Sequence, residues 1–87
     1  MFVILVYDVH VKRVAKVLKT CREYLTWVQN SVFEGEISEA QFKILWRRLE
    51  DIIDKEHDSI LAYSFDTMKY SRQQRLGIRK GGEDLIV

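Results

Sequence analysis

The order of elements legible in these 87 residues, β-α-β-β-α-β, predicts an α+β fold with a four-stranded antiparallel sheet and two helices on one of its faces. Three observations carry that prediction. Phe2 to Tyr7 is an unbroken apolar run rich in β-branched and aromatic residues, which reads as a strand buried on both faces. Ser38-Glu39-Ala40-Gln41 is a capping box at the mouth of an amphipathic helix. Between and beyond them the apolar period switches between strand and helix values.

The first strand ends on a carboxylate, Asp8. Val11, Val14, Ala15, Leu18, Cys21 and Leu25 then follow helical spacing, which predicts a helix of about three to four turns. Its outer face carries Lys12, Arg13, Lys16, Lys19 and Arg22, with Glu23 the only acid. Leu25 to Glu36 reads as two antiparallel strands divided by a tight turn at Asn30-Ser31, with Gly35 marking a bulge or a close approach. Ile37 and Phe42 are placed as a hydrophobic staple around the capping box. Phe42, Leu45, Trp46, Leu49, Ile52 and Ile53 hold one stripe through Asp54, which predicts the second helix. Glu56-His57-Asp58 forms a turn, and Ser59 to Phe65 is the last core strand.

Residues 1–65 therefore make the core, and residues 66–87 a C-terminal segment of the same domain. Gly81-Gly82 is a flexible break before Leu85-Ile86-Val87, a short extra strand for a sheet edge of this chain or of a partner. This is the split β-α-β, ferredoxin-like arrangement, and right-handed crossovers make its first and third strands central. Helices cover only one face of an all-apolar first strand. A sheet-on-sheet homodimer is the simplest cover for the other, with the C-terminal segment at the interface.

Composition narrows the function classes. One cysteine, Cys21, excludes an intrachain disulfide and a multi-cysteine zinc site, and its place on the apolar stripe makes it core filler. No apolar stretch is long enough for a bilayer, and no basic residues precede the first apolar run as in a signal peptide. A cytoplasmic protein with no membrane partner fits. Net charge is +1 but segregated: five basic and two acidic groups in residues 1–33, four and eight in 34–58, five and three in 59–87. That leaves room for a polyanion on one face.

Phe2-Val-Ile-Leu-Val-Tyr7-Asp8-Val9, Val28-Gln29-Asn30-Ser31-Val32-Phe33-Glu34-Gly35-Glu36 and Asp58-Ser59 resemble the CRISPR-associated protein two family, over about residues 1–65. The resemblance implies a small dimeric subunit of spacer acquisition with a ferredoxin-like fold. It implies a metal-dependent endonuclease acting on RNA or duplex DNA. It also implies a DNA-binding bridge between subunits of the CRISPR integrase, protein one. The family's metal-binding acid falls on Asp8, which both protomers would supply to one Mg2+ or Mn2+, since Mg2+ takes one or two carboxylates plus waters. Its S-V-F-E motif falls on Ser31 to Glu34. This chain has His10 where many members carry Ser, Thr or Asp, and Trp27 where an Arg is common.

Each candidate has a plainer alternative. Asp8 is either a metal ligand or the cap of the helix that follows. His10 is a proton carrier or, more often for such a residue, a cap or solvated group. His57 is a turn residue. Glu34 and Glu36 add to a metal site or line a solvated edge. Ser31 is a nucleophile without a placed base, or a turn residue. Phe33 and Trp27 stack on bases or are buried in the sheet. Lys12, Arg13, Lys16 and Lys19, with Lys69, Arg72, Arg75, Arg79 and Lys80, contact nucleic-acid phosphates or form a solvated face. Two further function classes stand beside the nuclease: a non-catalytic scaffold of the integrase complex, and a small toxin-type ribonuclease of the same fold.

Overall fold

A computed structural model describes residues 1–67 and 70–79. Their order is β1 (Phe2–Asp8), α1 (Val11–Arg22), β2 (Thr26–Gln29), β3 (Val32–Glu36), α2 (Glu39–Ile52), β4 (Ser59–Thr67) and β5 (Tyr70–Gly77). The strands form one sheet in the order β2-β3-β1-β4-β5, every neighbouring pair antiparallel. The first four strands are those expected, with β1 and β3 interior to them.

Strand β1 is apolar throughout, yet its burial alternates. Val3, Leu5 and Tyr7 are buried under the helices, while Phe2, Ile4, Val6 and Asp8 turn to the open face. Register extends this parity across the sheet, because cross-strand partners share a face. Leu5 lies opposite Phe33 and Ala62, and Tyr7 opposite Ile60. With Val17 and Cys21 of α1 and Phe42, Leu45 and Leu49 of α2, these residues make the core. Burying each large side chain contributes about 2 kcal/mol. The Cys21 thiol is buried there and pushed up to about 12, so it packs as an inert apolar group.

Helix α1 is rotated from the expected face. Its buried line is Val17, Thr20 and Cys21 with Val14 and Leu18 partly covered, whereas Val11 is 77% exposed and Ala15 is exposed. Two overlapping apolar lines compete in this helix, and the line that includes Val17 reaches the sheet. Leu25 lies past the helix and is buried on its own account.

Helix α2 begins as its sequence requires. Ser38 Oγ accepts from the Gln41 amide at 3.1 Å, and Gln41 Oε1 accepts from the Ser38 amide at 2.9 Å. Ile37 and Phe42 are both buried at this corner, and Phe42 stacks on Trp46 with ring centres 5.3 Å apart.

The extra C-terminal strand expected beside the four-stranded core is present as β5, placed earlier than Leu85-Ile86-Val87. It pairs along β4 from Ser59↔Gly77 to Phe65↔Ser71, with an irregularity between Phe65 and Thr67. Its Ser71-Arg72-Gln73-Gln74-Arg75 run is polar because an edge strand needs little apolar surface and is protected by charge; Leu76 is buried. The strand expected at Leu85-Ile86-Val87, together with Lys69, Lys80 and Gly81-Gly82, lies outside the described residues.

On the open face, Phe2 and Phe65 are each 37% exposed, beside half-buried Ile4, Val6 and Tyr63. Among the described residues no helix is long and apolar enough to cross a membrane.

Candidate active site

Asp8 is the last residue of β1, opposite Ser59 of β4, and strand alternation sends its exposed carboxylate to the open face. It is not the cap of α1. That position belongs to His10, whose Nδ1 accepts from the Lys12 amide at 3.1 Å, so the ring proton sits on Nε2. His10 thus has the cap geometry that is one of its two readings, and Asp8 is not the N-cap residue.

Behind this corner lies a second aspartate. Asp58 is wholly buried and accepts four hydrogen bonds: Arg13 Nε at 2.5 Å, Arg13 Nη2 at 3.0 Å, the His10 amide at 3.0 Å and the Asp54 amide at 2.9 Å. The two-pronged guanidinium contact holds the Asp58 carboxyl well below the usual carboxylate range against the opposing pull of burial, with help from the two amides. The Arg13 guanidinium is raised by the same bond. Arg13 therefore differs from the other cations of α1: its charge is committed inside the protein. The Asp58 carbonyl in turn accepts from the Ile78 amide at 3.0 Å. Gly77 makes that approach possible, because at φ +85 a Cβ would stand 1.9 Å from the Asp58 oxygen.

The β2–β3 turn is held against the end of β1. Asn30 takes φ +44, and its carbonyl accepts from Tyr7 Oη at 3.3 Å and from Trp27 Nε1 at 3.0 Å. The Ser31 carbonyl accepts from the Tyr7 amide at 3.0 Å. Burial chiefly raises the Tyr7 phenol, and a hydrogen bond with Ser31 opposes that rise. Ser31 is thus placed near the end of β1 as a turn residue. Phe33 is not accessory to a surface site: it is wholly buried on the helix side, packed on Tyr7 with ring centres 6.1 Å apart. Trp27 is 51% exposed at the sheet edge.

The acids expected to assist Asp8 stand elsewhere. Glu34 and Glu36 pair with Ile4 and Phe2, four and six residues back along β1, which puts even the nearer about 13 Å away. Among the described residues the one three-ligand group of metal-binding type is Asp54, Glu56 and His57, at the turn after α2. Its carboxylate is already bonded locally, Asp54 accepting from the Glu56 amide at 2.9 Å and contacting His57 Nδ1 at 3.0 Å. Among the described residues, one chain thus brings a single exposed carboxylate to the end of β1. That suits a hard cation sharing two carboxylates from two copies and filling its sphere with water.

The remaining cations divide by element. Lys12, Lys16 and Lys19 are exposed along α1. Arg72 and Arg75, three residues apart on β5, fall on opposite faces. Arg72 lies on the helix side, in a groove of about 220 Å³ with Phe42, Trp46 and Ser64, and Arg75 lies opposite Leu61 of the open face. Arg79 is exposed just past β5. Sequence reasoning placed Asp58 only in a turn and in the family resemblance and gave it no role in the site; its signal was an acid next to the apolar start of a strand, with Gly77 placed to pack on it.

Residues 1–73 match the family model described as CRISPR associated protein Cas2. A protein of Dictyoglomus turgidum named "CRISPR-associated endoribonuclease Cas2" is 53% identical over 87 residues, covering 100% of both chains. A protein of the same name from Thermotoga maritima is 46% identical over 86 residues, covering 99% of each. The fold is similar to that of a crystal structure of Cas2, with a TM-score of 0.70 and 48% identity, covering 85% of this chain and 90% of that one. The chain belongs to the Cas2 family.

Proposed function

We propose that this chain is a CRISPR nuclease that cleaves phosphodiester bonds of RNA or duplex DNA with a divalent cation, Mg2+ or Mn2+, held by Asp8 from each of two copies. The observation that carries it is the place of Asp8: exposed at the end of a buried strand, on the open face, with the N-cap position of α1 held by His10. The endoribonuclease name of its relatives supports RNA as the first substrate to test. The apolar open face, with Phe2, Ile4, Val6, Tyr63 and Phe65, supports a two-fold sheet-on-sheet dimer, and an axis near Asp8 would bring both carboxylates together.

Asp8 would hold the ion, and Lys12, Lys16 and Lys19 would hold phosphates without reading bases. A bound Mg2+ supplies a water of lowered pKa and neutralises charge on the phosphate. The same lysine stripe, doubled in a dimer, favours a second role compatible with the first: a DNA-binding bridge between integrase subunits in spacer acquisition.

Cleavage of matched RNA and duplex DNA, with Mg2+ or with chelator, tests the reading. Wild type should cleave only with the ion, and Asp8→Asn should bind nucleic acid but not cleave. Equal cleavage by Asp8→Asn sinks Asp8 as the metal-holding acid, and wild type that cleaves neither substrate with the ion sinks the enzyme and leaves the bridge. A mass near one subunit by light scattering sinks the dimer.

A further inference from the structure

We propose that Asp58 is a positioning residue for Asp8, fixing the short Val9-His10 link on which the strand's terminal carboxylate depends. The inference rests on the reading of Asp8 as the metal-holding acid. Asp8 is anchored on its strand side by the ladder to Ser59. On its other side only Val9 and His10 separate it from α1. The His10 amide, two residues beyond Asp8, is bound to Asp58 Oδ1 at 3.0 Å.

Asp58 is suited to that task and to no other at this site. Its four hydrogen bonds use the full acceptor capacity of a carboxylate, so it has none to offer a metal or a phosphate. It is wholly buried, and its backbone is fixed by Ile78 and the close approach of Gly77. One rigid group therefore ties the end of β1, the start of α1 through Arg13, the end of α2 through Asp54, and the end of β5. Arg13 alone would satisfy an ion pair that only stabilised the fold. The bond to His10 couples that pair to Asp8. Groups one step removed from a metal ligand act in this way, by holding the ligand's direction.

The experiment measures Mn2+ binding by electron paramagnetic resonance titration, and kcat and KM for RNA cleavage, on the full chain. Asp58→Asn removes the charge that grips Arg13 and turns one acceptor into a donor. His10→Pro removes the amide proton, and His10 already has φ −56, which proline accepts. His10→Ala is its comparator, since both lose the imidazole cap. Asp58→Asn against wild type, and His10→Pro against His10→Ala, should weaken Mn2+ binding and lower kcat about 10-fold each, with KM shifted less than about two-fold. Folded variants with unchanged Mn2+ affinity and kcat overturn the proposal. If Asp58→Asn does not fold by circular dichroism, the His10 pair decides. Wild type that binds no Mn2+, or Asp8→Asn that binds and cleaves normally, overturns the Asp8 reading and this proposal with it. A dead Asp8→Asn beside normal Asp58 and His10 variants overturns this proposal alone.

Discussion

Asp8 lies opposite Ser59 in the β1–β4 ladder, so Asp58 belongs to the same end of the sheet, one residue further along the neighbouring chain segment. The two acids share a side chain and a neighbourhood, and differ in everything else. Asp8 is exposed on the open face, and Asp58 is wholly buried with every acceptor site used. A carboxylate with its hydrogen-bonding capacity spent is part of the framework, whereas Asp8 stands exposed at the end of a strand, where the proposed metal role would place it. Burial, rather than residue type, separates the two.

Removing the outward acid should give the largest functional effect and the smallest structural one. Asp8→Asn should lower cleavage by more than about 100-fold, the most that groups one step removed from a metal cost, with little change in thermal midpoint. Calorimetry beside a cleavage assay checks both halves. A large drop in midpoint would erase the contrast between the two acids.

The inward acid should behave in the opposite sense. Asp58→Ala strands the Arg13 guanidinium and the amides of His10 and Asp54, and should cost about 3 kcal/mol in urea unfolding. That is the low end for a broken buried pair, since Arg13 remains partly open to water. The pH dependence follows from the depressed Asp58 carboxyl. The unfolded chain takes up the proton first, so the pair's contribution is complete above about pH 4 and drains as pH falls toward the folded value. Glu23, held low by Arg48, and Asp54, held low by the Glu56 amide, push the same way. Stability of wild type should thus fall below about pH 4, and that of Asp58→Asn should fall less steeply.

How far these roles are legible in sequence differs between the two acids. Asp8 announces itself because it ends an apolar run, and its outward direction follows from strand alternation. The capping box at Ser38 and Gln41 is equally plain, being purely local. Asp58 is opaque because three of its four hydrogen bonds come from Arg13 and His10, 45 and 48 residues away. Arg13 looks like one more cation on a basic helix until the fold brings Asp58 to it. Strand β5 is hidden for a related reason. Its residues are polar, and pairing with β4 rather than apolar periodicity makes it a strand.

Gly77 tests how tightly the framework side is packed. Gly77→Ala forces a left-handed φ on alanine and drives Cβ into the Asp58 carbonyl, so it should cost about 2 kcal/mol or more. Gly35→Ala is the control, because the nearest atom to its Cβ would be the Leu25 Cδ2 at 3.3 Å, a side-chain rather than a backbone atom, and its φ is not left-handed. That change should cost less than about 1 kcal/mol. Equal losses at the two glycines would mean that the Asp58 corner is no tighter than the rest of the sheet.

The smallest effect is expected at His10, which stands between the two acids and touches only one of them through its backbone. His10→Ala removes the Nδ1 acceptor for the Lys12 amide but leaves the His10 amide on Asp58. The cap is exposed, so water replaces much of what is lost, and the cost should be about 0.5 kcal/mol by urea unfolding. His10→Asp restores a better cap and should recover that stability, with an added gain from a negative charge at the helix start. Should His10→Ala instead cost as much as Asp58→Ala, the side chain rather than the backbone would be holding the corner, and Asp58 would lose its claim to position Asp8.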